Sequence, residues 1–528
     1  MTQPPDSRGG EPLVRGQDIP SRPGRAKASK PHRGLSGISS SAAAGVLGMV
    51  AGILLIPLVI TQVGSAAYGP WLVIAAIASY LQYSDVGVGA AIVHFGSRAR
   101  SGANERSLSD YVSAGLAWNV AAAIVVVPIF SISAWLYVSS VAGEAGLDPS
   151  DVTGLVTVGA IMLGCVLIAP FSSALVGAGL LPLDRRNQGI GVLARIVGTI
   201  AACLITHDVV WVATAEMAGS VLPQIIALFG LLRRHLLQLR VSKDTLPTLR
   251  FMLNYSVKSF GVAAVGALIL QAGTIIVGIF LGPSDVTYFN AAYRVYTAAR
   301  QTLMWAVDPF RSALSRLFVN DAEAARRIVI SLTFSSLSVA TVAAGTLAFA
   351  SSQIVALWLG PSVPTEAIAS TLSVLLLGLI VNAAQIPLVP AGDANGRPGA
   401  FFSIQVIWLV SFLVLACALV NVVGIVGVAL GLGIPLVFVT PLYLHRARRV
   451  IALQAKEWFT EAILPTLIIA LPATLVATAV ALIQYAVGAQ PFSILTGGAF
   501  IASVAITVFF ARARLPHDGI MRLLKVEL

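Results

Sequence analysis

Long apolar runs separated by short polar breaks dominate the chain, beginning at Gly37 and continuing almost to the C-terminus. Each run is long enough to cross the roughly 30 Å hydrocarbon core of a bilayer, which takes about 20 helical residues. Only 11% of the 528 residues are charged, against about 25% in soluble domains. The pattern predicts an all-α polytopic membrane protein and excludes a soluble fold.

The runs predict about 14 transmembrane helices. The predicted spans cover residues 37–63, 69–96, 110–139, 152–180, 189–206, 209–232, 251–281, 287–315, 328–358, 366–390, 399–421, 425–444, 461–487 and 492–511. The joins at 206–209 and 421–425 are the least distinct, because each flanking pair of runs could form one long helix.

Positive charge is confined to one side of this predicted topology. All lysines and arginines but five fall in the terminal tails or in the loops on the same side as the tails, whereas the opposite loops carry acidic residues. The five exceptions, which lie within spans, are Arg195, Lys258, Arg294, Arg300 and Arg311. The positive-inside rule therefore predicts that both termini are cytoplasmic. Topology accounts for the net charge of +11, so nucleic acid is not an expected partner.

A polar linker between the sixth and seventh spans divides the apolar region into two halves of six helices. The predicted regions are a disordered basic cytoplasmic tail (1–35), an N-terminal six-helix bundle (36–235), the cytoplasmic linker (236–250), a C-terminal six-helix bundle (251–450), an additional helix pair (451–512) and a cytoplasmic C-terminal tail (513–528). The join from Gly64 to Tyr68 is echoed by the join from Gly282 to Tyr288. This echo indicates a duplication in which both halves run the same way through the membrane.

Cations at membrane depth are the main functional signal. An ionisable side chain there must face a bundle interior or a wet cavity, so Arg300, Arg294 and Lys258 predict a cavity for an anionic ligand. Tyr293 and Tyr296 share an arc of about 60° with Arg300 and offer rings that stack on sugars. Asn254 lies one turn from Lys258, on the same helical face.

The alternatives for these cations are internal ion pairs and snorkelling. Arg300 is about 20 Å deep, too far for easy snorkelling. Arg294 projects away from Arg300 and could line the cavity or pair with an acid. Lys258 and Arg195 are close enough to the inner surface to snorkel. An Arg195–Glu216 pair is disfavoured, because their expected depths differ by about 10 Å.

A second group of residues is a candidate for ion coupling or for a hinge. Asp85, Gly87 and Gly89 lie within the second span, and Glu216 lies within the sixth. Asp85 could instead cap a local helix break. The three cysteines are isolated in apolar runs, so neither a disulfide nor a metal site is expected, and no residue pattern indicates a catalytic site or a cofactor.

Tryptophans near the predicted outer helix ends fit an interfacial aromatic belt. They are Trp71, Trp135, Trp211 and Trp358.

The second span carries a sequence motif that resembles one found in a known protein family. It begins Tyr68-Gly69-Pro70-Trp71 and ends Ser84-Asp85-Val86-Gly87-Val88-Gly89. A Tyr-Gly start with an Asp-x-Gly-x-Gly ending resembles the polysaccharide transporters of the multidrug/oligosaccharidyl-lipid/polysaccharide (MOP) superfamily, including the Wzx-type flippases. One departure is that Ala42 to Ile60 carries no charge, whereas lipid II flippases have an Arg-Asp pair in the first helix and drug exporters often have a carboxylate there.

The resemblance implies two six-helix bundles in a V around a central cavity with alternating access. The implied cargo is a polyprenyl-(pyro)phosphate-linked oligosaccharide, carried across the bacterial cytoplasmic (inner) membrane for surface polysaccharide biosynthesis. Coupling to H⁺, to Na⁺ or to the membrane potential is expected, with membrane lipids, a polysaccharide polymerase and glycosyltransferases as partners. By similarity to lipid II flippases, residues 461–511 are candidates for holding the polyprenyl tail.

The sequence is also compatible with two other functions. A MATE-like drug exporter predicts an acidic cavity, whereas the intramembrane charges here are mainly basic. A membrane glycan polymerase or ligase usually has a long outer loop with polar catalytic residues, and all predicted outer loops are short.

Overall fold

A computed structural model describes residues 32–81, 85–100, 106–238, 244–397 and 399–486. These residues form helices and turns, with no strand among them, which confirms the all-α prediction. The first half contains α1 (His32–Gln62), α2 (Ser65–Leu81), α3 (Val88–Arg100), α4 (Leu108–Ala145), α5 (Pro149–Gly164), α6 (Ala169–Gly177), α7 (Leu181–Ala201) and α8 (Val209–Arg233). The rest contains α9 (Thr245–Phe280), α10 (Pro283–Val307), α11 (Phe310–Asn320), α12 (Ala322–Phe349), α13 (Ser351–Leu359), α14 (Thr365–Ala383), α15 (Leu388–Ala394), α16 (Phe402–Val423), α17 (Ile425–Ile451), α18 (Ala455–Trp458) and α19 (Leu464–Ala486). Short π-helical segments at Ala202–Thr206 and Phe459–Ile463 extend α7 and connect α18 to α19.

Most predicted spans coincide with helix, but several consist of two helical pieces. Within the described ranges, ten helical segments are long and apolar enough to cross a membrane. The span at 492–511 and the tail at 513–528 lie outside the described residues, so the count of fourteen stays a prediction. Both indistinct joins are real breaks, since His207 and Gly424 adopt positive φ values of 54° and 61° between consecutive helices.

Two predicted boundaries shift in the structure. The helix α1 begins at His32, so the end of the predicted tail 1–35 is helical rather than disordered. The helix α9 begins at Thr245, inside the predicted linker 236–250. Pro247 lies in its first turn, where a missing N–H costs nothing because the first turn has no intrahelical acceptor.

Proline and glycine explain the interruptions within spans. Pro309 separates α10 from α11, and Pro387 precedes α15. Between α2 and α3, Val86 and Gly87 have φ values of 50° and 78°, a left-handed conformation that glycine adopts without steric cost. The sequence therefore breaks these spans at defined points.

The two halves meet along α2, α9 and α10. The helix α9 packs against α2, α3 and α4 on one side and against α16 and α17 on the other, while α10 packs against both α2 and α14. One hydrophobic core runs through these contacts, with Trp71, Val277, Phe289 and Tyr296 among its fully buried members. The second half is thus anchored on the first through its own first two helices.

The two joins related by the sequence echo contact each other directly. Thr287 Oγ1 donates to the Ser65 carbonyl at 2.7 Å, and Ser65 Oγ lies 3.3 Å from Ser284 Oγ and 3.1 Å from Tyr288 OH. Gly69 packs against the Pro283 backbone with no room for a side chain. The halves are therefore closed against each other at the ends of α2 and α10 that the charge pattern assigns to the outer face.

We expect Gly69→Ala to lower the melting temperature of the purified protein by a few degrees. The added methyl would collide with the Pro283 carbonyl, and overpacking typically costs about 1–3 kcal/mol. Gly143→Ala is the matched control, since the same methyl within α4 would meet nothing within 4 Å. Equal melting temperatures for both variants would contradict the close α2–α10 contact.

Candidate functional site

A cavity of about 390 Å³ lies between α1, α7 and α10. Gly48, Met49 and Gly52 line it from α1, and Arg195 lines it from α7. The helix α10 contributes Arg294, Thr297, Ala298, Gln301 and Trp305, which recur at the three- and four-residue spacing of one helical face. The cavity therefore brings one arginine from each half of the chain to a common space.

Arg294 is held by three oxygen atoms on three other helices. Its Nη1 donates to the Gly52 carbonyl of α1 at 3.0 Å, and its Nη2 donates to Tyr68 OH of α2 at 3.0 Å. The same Nη2 lies 3.6 Å from Oε1 of Glu216 on α8. The side chains of Arg294 and Glu216 retain 26% and 18% exposure, and Arg294 is the member of the pair that lines the cavity.

Glu216 is in turn positioned by α2. Its Oε1 accepts from Tyr68 OH at 2.9 Å, and its Oε2 accepts from Trp71 Nε1 at 2.7 Å. Tyr68 and Trp71 are three residues apart and share a face of α2. Both carboxylate oxygens are thus hydrogen-bonded, and Tyr68 connects the carboxylate to the guanidinium. The sequence motif Tyr68-Gly69-Pro70-Trp71 consequently supplies the two side chains that position Glu216 behind Arg294.

Arg195 is the site residue that sequence reasoning assigned to snorkelling. Its Nη2 donates instead to the Gly48 carbonyl of α1 at 3.1 Å. Gly191 of α7 packs directly against Gly219 of α8, and Gly219 also contacts the Cβ atom of Arg195. This close packing sets the direction in which the Arg195 side chain extends from α7. Arg195 lies near enough to Glu216 for its charge to act on that carboxylate, yet its hydrogen bond is to the backbone of α1.

A glycine stripe on α1 creates the space for both arginines. A Cβ at Gly45 would overlap the Trp305 ring, one at Gly48 would touch Val192, and one at Gly52 would lie 3.7 Å from Arg195 Nη2. The absence of side chains lets guanidinium groups reach main-chain carbonyls. This stripe is the sequence signal that points to Arg195, because small residues mark close helix approach.

Arg300, the leading candidate from the sequence, does not line this cavity. It lies close enough to Tyr296 on α10 and Tyr443 on α17 to interact with them electrostatically. Its buried Nε and the Tyr296 hydroxyl have no hydrogen-bond partner among the described residues. Arg300 therefore faces the interior of the second half rather than the space between the halves.

Tyr293 and Tyr296, which the sequence predicts to stack on sugars, do not present their rings to the cavity in this structure. The two side chains are 7% and 1% exposed and stack on each other with centroids 5.5 Å apart. Tyr293 also stacks on Phe289 and donates its hydroxyl to the Leu270 carbonyl at 2.6 Å. The arc expected to carry them is a packing surface, because α10 turns it towards α9 and the core.

The remaining candidates lie away from the cavity. Asn254 is exposed near the start of α9, and Lys258 lies in the same helix, but its side chain is outside the described part of the structure. Asp85 accepts from the Gly87 and Gly89 amides at 2.9 and 3.3 Å, and Ser256 Oγ on α9 donates to the Gly87 carbonyl at 2.9 Å. Asp85 therefore caps the α2–α3 break, next to the contact with α9.

The aromatic belt is present only in part. Trp135 and Trp211 are 52% and 56% exposed, as an interfacial position requires. Trp71 is fully buried and donates to Glu216, so the belt prediction is wrong for it. Trp358 Nε1 donates to the Ile53 carbonyl at 3.2 Å. This carbonyl accepts no helical hydrogen bond from residue 57, because Pro57 has no N–H.

Comparison with solved structures shows which known fold this chain shares. The lipid II flippase MurJ in an inward closed conformation matches with a TM-score of 0.66 at 14% identity, covering 93% of this chain and 100% of that one. An inward-facing multidrug resistance MATE family transporter of the MOP superfamily matches at 0.56 and 15%, over 79% and 98%. A MOP superfamily transporter from Pyrococcus furiosus, described for the reverse polarity of its binding pocket, matches at 0.51 and 15%, over 80% and 96%. The fold is therefore that of a multi-helix MOP superfamily transporter, as the sequence resemblance predicted.

The family follows from the sequence match. Residues 35–309, just over half of the chain, match the family described as polysaccharide biosynthesis protein. The chain therefore belongs to the polysaccharide biosynthesis protein family. Comparison with curated protein sequences gives no significant match.

We expect Glu216→Gln to destabilise the protein by about 3 kcal/mol, the lower end of the range for buried pairs, since removing one partner of a largely buried ion pair leaves an uncompensated charge. The double variant Glu216→Gln/Arg294→Gln should lose less than the sum of the two single losses. Denaturant unfolding in detergent measures this coupling. Arg327→Ala is the control, because its pair with Glu323 is exposed, at 62% and 68%, and exposed pairs contribute about 0–1 kcal/mol. Additive losses in the double variant would contradict the pairing.

Proposed function

We propose that the protein is a flippase, and not an enzyme, that moves a polyprenyl-(pyro)phosphate-linked oligosaccharide across the bacterial cytoplasmic membrane by alternating access. The observation that carries the proposal is the meeting of Arg195 and Arg294, from opposite halves, in one cavity at membrane depth. Membership of the polysaccharide biosynthesis protein family supports a glycan cargo, and the MurJ-like fold supports transport of a lipid carrier.

The cavity chemistry suits a phosphate-bearing headgroup. A guanidinium offers a planar fork of donors that matches phosphate oxygens, and two of them can grip a pyrophosphate from two sides. Thr297, Gln301 and the Trp305 ring lie on the same wall and provide hydrogen bonds and a flat surface for the first sugar. A volume of about 390 Å³ falls within the range of small-molecule sites.

The lipid tail has a separate candidate path. An apolar groove of about 430 Å³ lies between α12, α14, α17 and the segment from α18 to α19. Trp458, Ile463, Leu467 and Leu471 line it from the C-terminal segment. Ile463, Leu467 and Leu471 lie in the region 461–511 that the sequence resemblance assigned to a polyprenyl chain, and an apolar groove can hold such a chain without desolvation cost.

Alternating access fits the way in which the halves are joined. Opening the outer side requires α2 to part from α10, which separates Arg294 from Glu216 and from Tyr68. The phosphate group of the cargo can take the place of Glu216 beside Arg294 at that point. Moving a negatively charged headgroup outwards is also favoured by an inside-negative potential, by about 2.3 kcal/mol per charge per 100 mV, whereas Glu216 is a candidate for H⁺ or Na⁺ coupling.

A MATE-like drug exporter is the second candidate, favoured by the fold likeness to a MATE family transporter. An exporter of cationic drugs requires acidic groups in the cavity. The described lining of the cavity contains two arginines and no carboxylate, with Glu216 behind it and paired. Cavity charge therefore favours an anionic cargo. A polysaccharide polymerase and glycosyltransferases are the partners expected for that cargo.

We expect Arg195→Ala and Arg294→Ala to slow transport at least tenfold, since a hydrogen-bonded charge contributes about 1.5–3 kcal/mol. The assay uses protein in liposomes that contain fluorescent undecaprenyl-pyrophosphate-N-acetylglucosamine and follows quenching of the outer leaflet. Arg327→Ala, which removes an exposed charge outside the cavity, should transport at the parental rate. Parental rates for both cavity variants would overturn the site, and Arg300→Ala tests the second-half arginine separately.

We expect a disulfide between Ser65→Cys and Ser284→Cys to stop transport reversibly. The two hydroxyls are 3.3 Å apart, so the cysteines would lock α2 to α10 and hold the outer side closed. The three natural cysteines, Cys165, Cys203 and Cys417, are first replaced by alanine. Transport should fall at least tenfold after oxidation and return after reduction, while each single-cysteine variant is unaffected. Undiminished transport by the oxidised double variant would show that these ends need not part.

A further inference from the structure

A second cavity lies on the other side of the first half, between the start of α7 and the end of α8. Its volume is about 390 Å³. Three arginines line it (Arg186, Arg233 and Arg234), together with the apolar side chains of Leu183, Ile226 and Phe229. These helix ends lie on the face that the charge pattern assigns to the cytoplasm.

The three arginines have no carboxylate partner among the residues that the structure describes. All three are exposed, and none forms an ion pair or a side-chain hydrogen bond with another described residue. The nearest carboxylate in sequence, Asp184, is 4% exposed and accepts a hydrogen bond from Ser172. Within the described part of the chain, the charge of the cavity therefore has no paired carboxylate.

Helix dipoles account for two of these arginines but not for the third. Arg233 and Arg234 lie at the C-terminal end of α8, where the dipole favours a cation. Arg186 lies in the second turn of α7, where the helix dipole gives a cation no stabilisation. At about 100° per residue, Arg186 and Arg195 project from opposite sides of α7, so Arg186 does not serve the transport cavity either.

The apolar walls place the cavity at the boundary between headgroups and acyl chains. Phe229 lies one helical turn before Arg233 in α8 and is 57% exposed. Leu193 and Val197 on α7 are 52% and 65% exposed. Such exposed apolar side chains on adjacent helices form a lipid-facing surface. A free phosphate ion gains nothing from contact with these apolar side chains. A phospholipid, in contrast, can place its phosphate beside the arginines and its acyl chains along the apolar surface.

We propose that this cavity binds an anionic phospholipid with two phosphate groups from the adjacent leaflet. Three guanidiniums around one opening can hold two phosphates with charge-assisted hydrogen bonds, and basic pockets between transmembrane helices on the cytoplasmic side suit such headgroups. The bound lipid neutralises the cluster and clamps the ends of α7 and α8 together, which steadies the helix that carries Arg195. The inference is independent of the proposed cargo.

The test is lipid binding to the purified full-length protein by native mass spectrometry. Diphosphatidylglycerol should bind at least tenfold more tightly than phosphatidylcholine and more weakly as salt is raised. The variant R186A/R233A/R234A should bind it roughly 100-fold more weakly, given the contribution of each basic residue at an anionic membrane surface. The variant R316A/R326A/R327A removes the same charge elsewhere on the same face and should bind within twofold of the parent.

Three results would overturn the proposal. The first is parental binding by the pocket variant, and the second is an equal loss in both variants, which would indicate net charge alone. The third is displacement of diphosphatidylglycerol by undecaprenyl pyrophosphate at lower concentration, which would assign the cavity to the transport cargo. If the triple variant does not purify as a folded species, Arg186→Ala alone should weaken binding about fivefold, and parental binding by that variant counts equally against the site.

Discussion

A guanidinium inside a membrane must be surrounded by oxygen atoms, and the surroundings of Arg294 determine how the helices of this protein meet. Its partners come from α1, α2 and α8, while the arginine itself comes from α10. Because a charge without partners in hydrocarbon is strongly unfavourable, these four helices can separate only if another group replaces the oxygen atoms around Arg294. The contact between the halves is thus specified by one polar cluster as well as by apolar packing.

The first helix takes part in this cluster without a charged residue between Ala42 and Ile60. Its contribution is made by backbone carbonyls. Gly48 and Gly52 expose theirs to Arg195 and Arg294, and Pro57 frees the carbonyl of Ile53 for Trp358. Two successive turns of α1 therefore accept hydrogen bonds from both halves, and the carboxylate of the cluster is supplied by α8 instead.

The fold was predictable from the sequence because membrane insertion imposes simple rules on length and charge. The apolar runs and the one-sided arginines indicated the helices, and proline and glycine marked the breaks. Side-chain orientation was less accessible, since it depends on which neighbour each face meets. The sequence indicates Arg294 and Glu216 as separate candidates but does not predict their pairing. Helical periodicity shows which residues share a face within one helix, and it gives no information on which residues of two different helices meet. Trp71 and Tyr293 looked interfacial or sugar-facing, whereas packing of α2 and α10 buries both.

Charge in the cavity is distributed unequally, and this inequality bears on the proposed transport cycle. Arg294 has a carboxylate beside it, whereas among the described residues the guanidinium of Arg195 donates a hydrogen bond to the neutral Gly48 carbonyl alone. An anion between them gains from Arg195 at once, but must compete with Glu216 for Arg294. When the halves part, Arg195 and Glu216 stay together on one half and Arg294 leaves with the other. In the proposed cycle, a phosphate bound by both arginines stays with Arg294, in the place of Glu216, and loses Arg195, so the movement that exposes the cargo also weakens its binding.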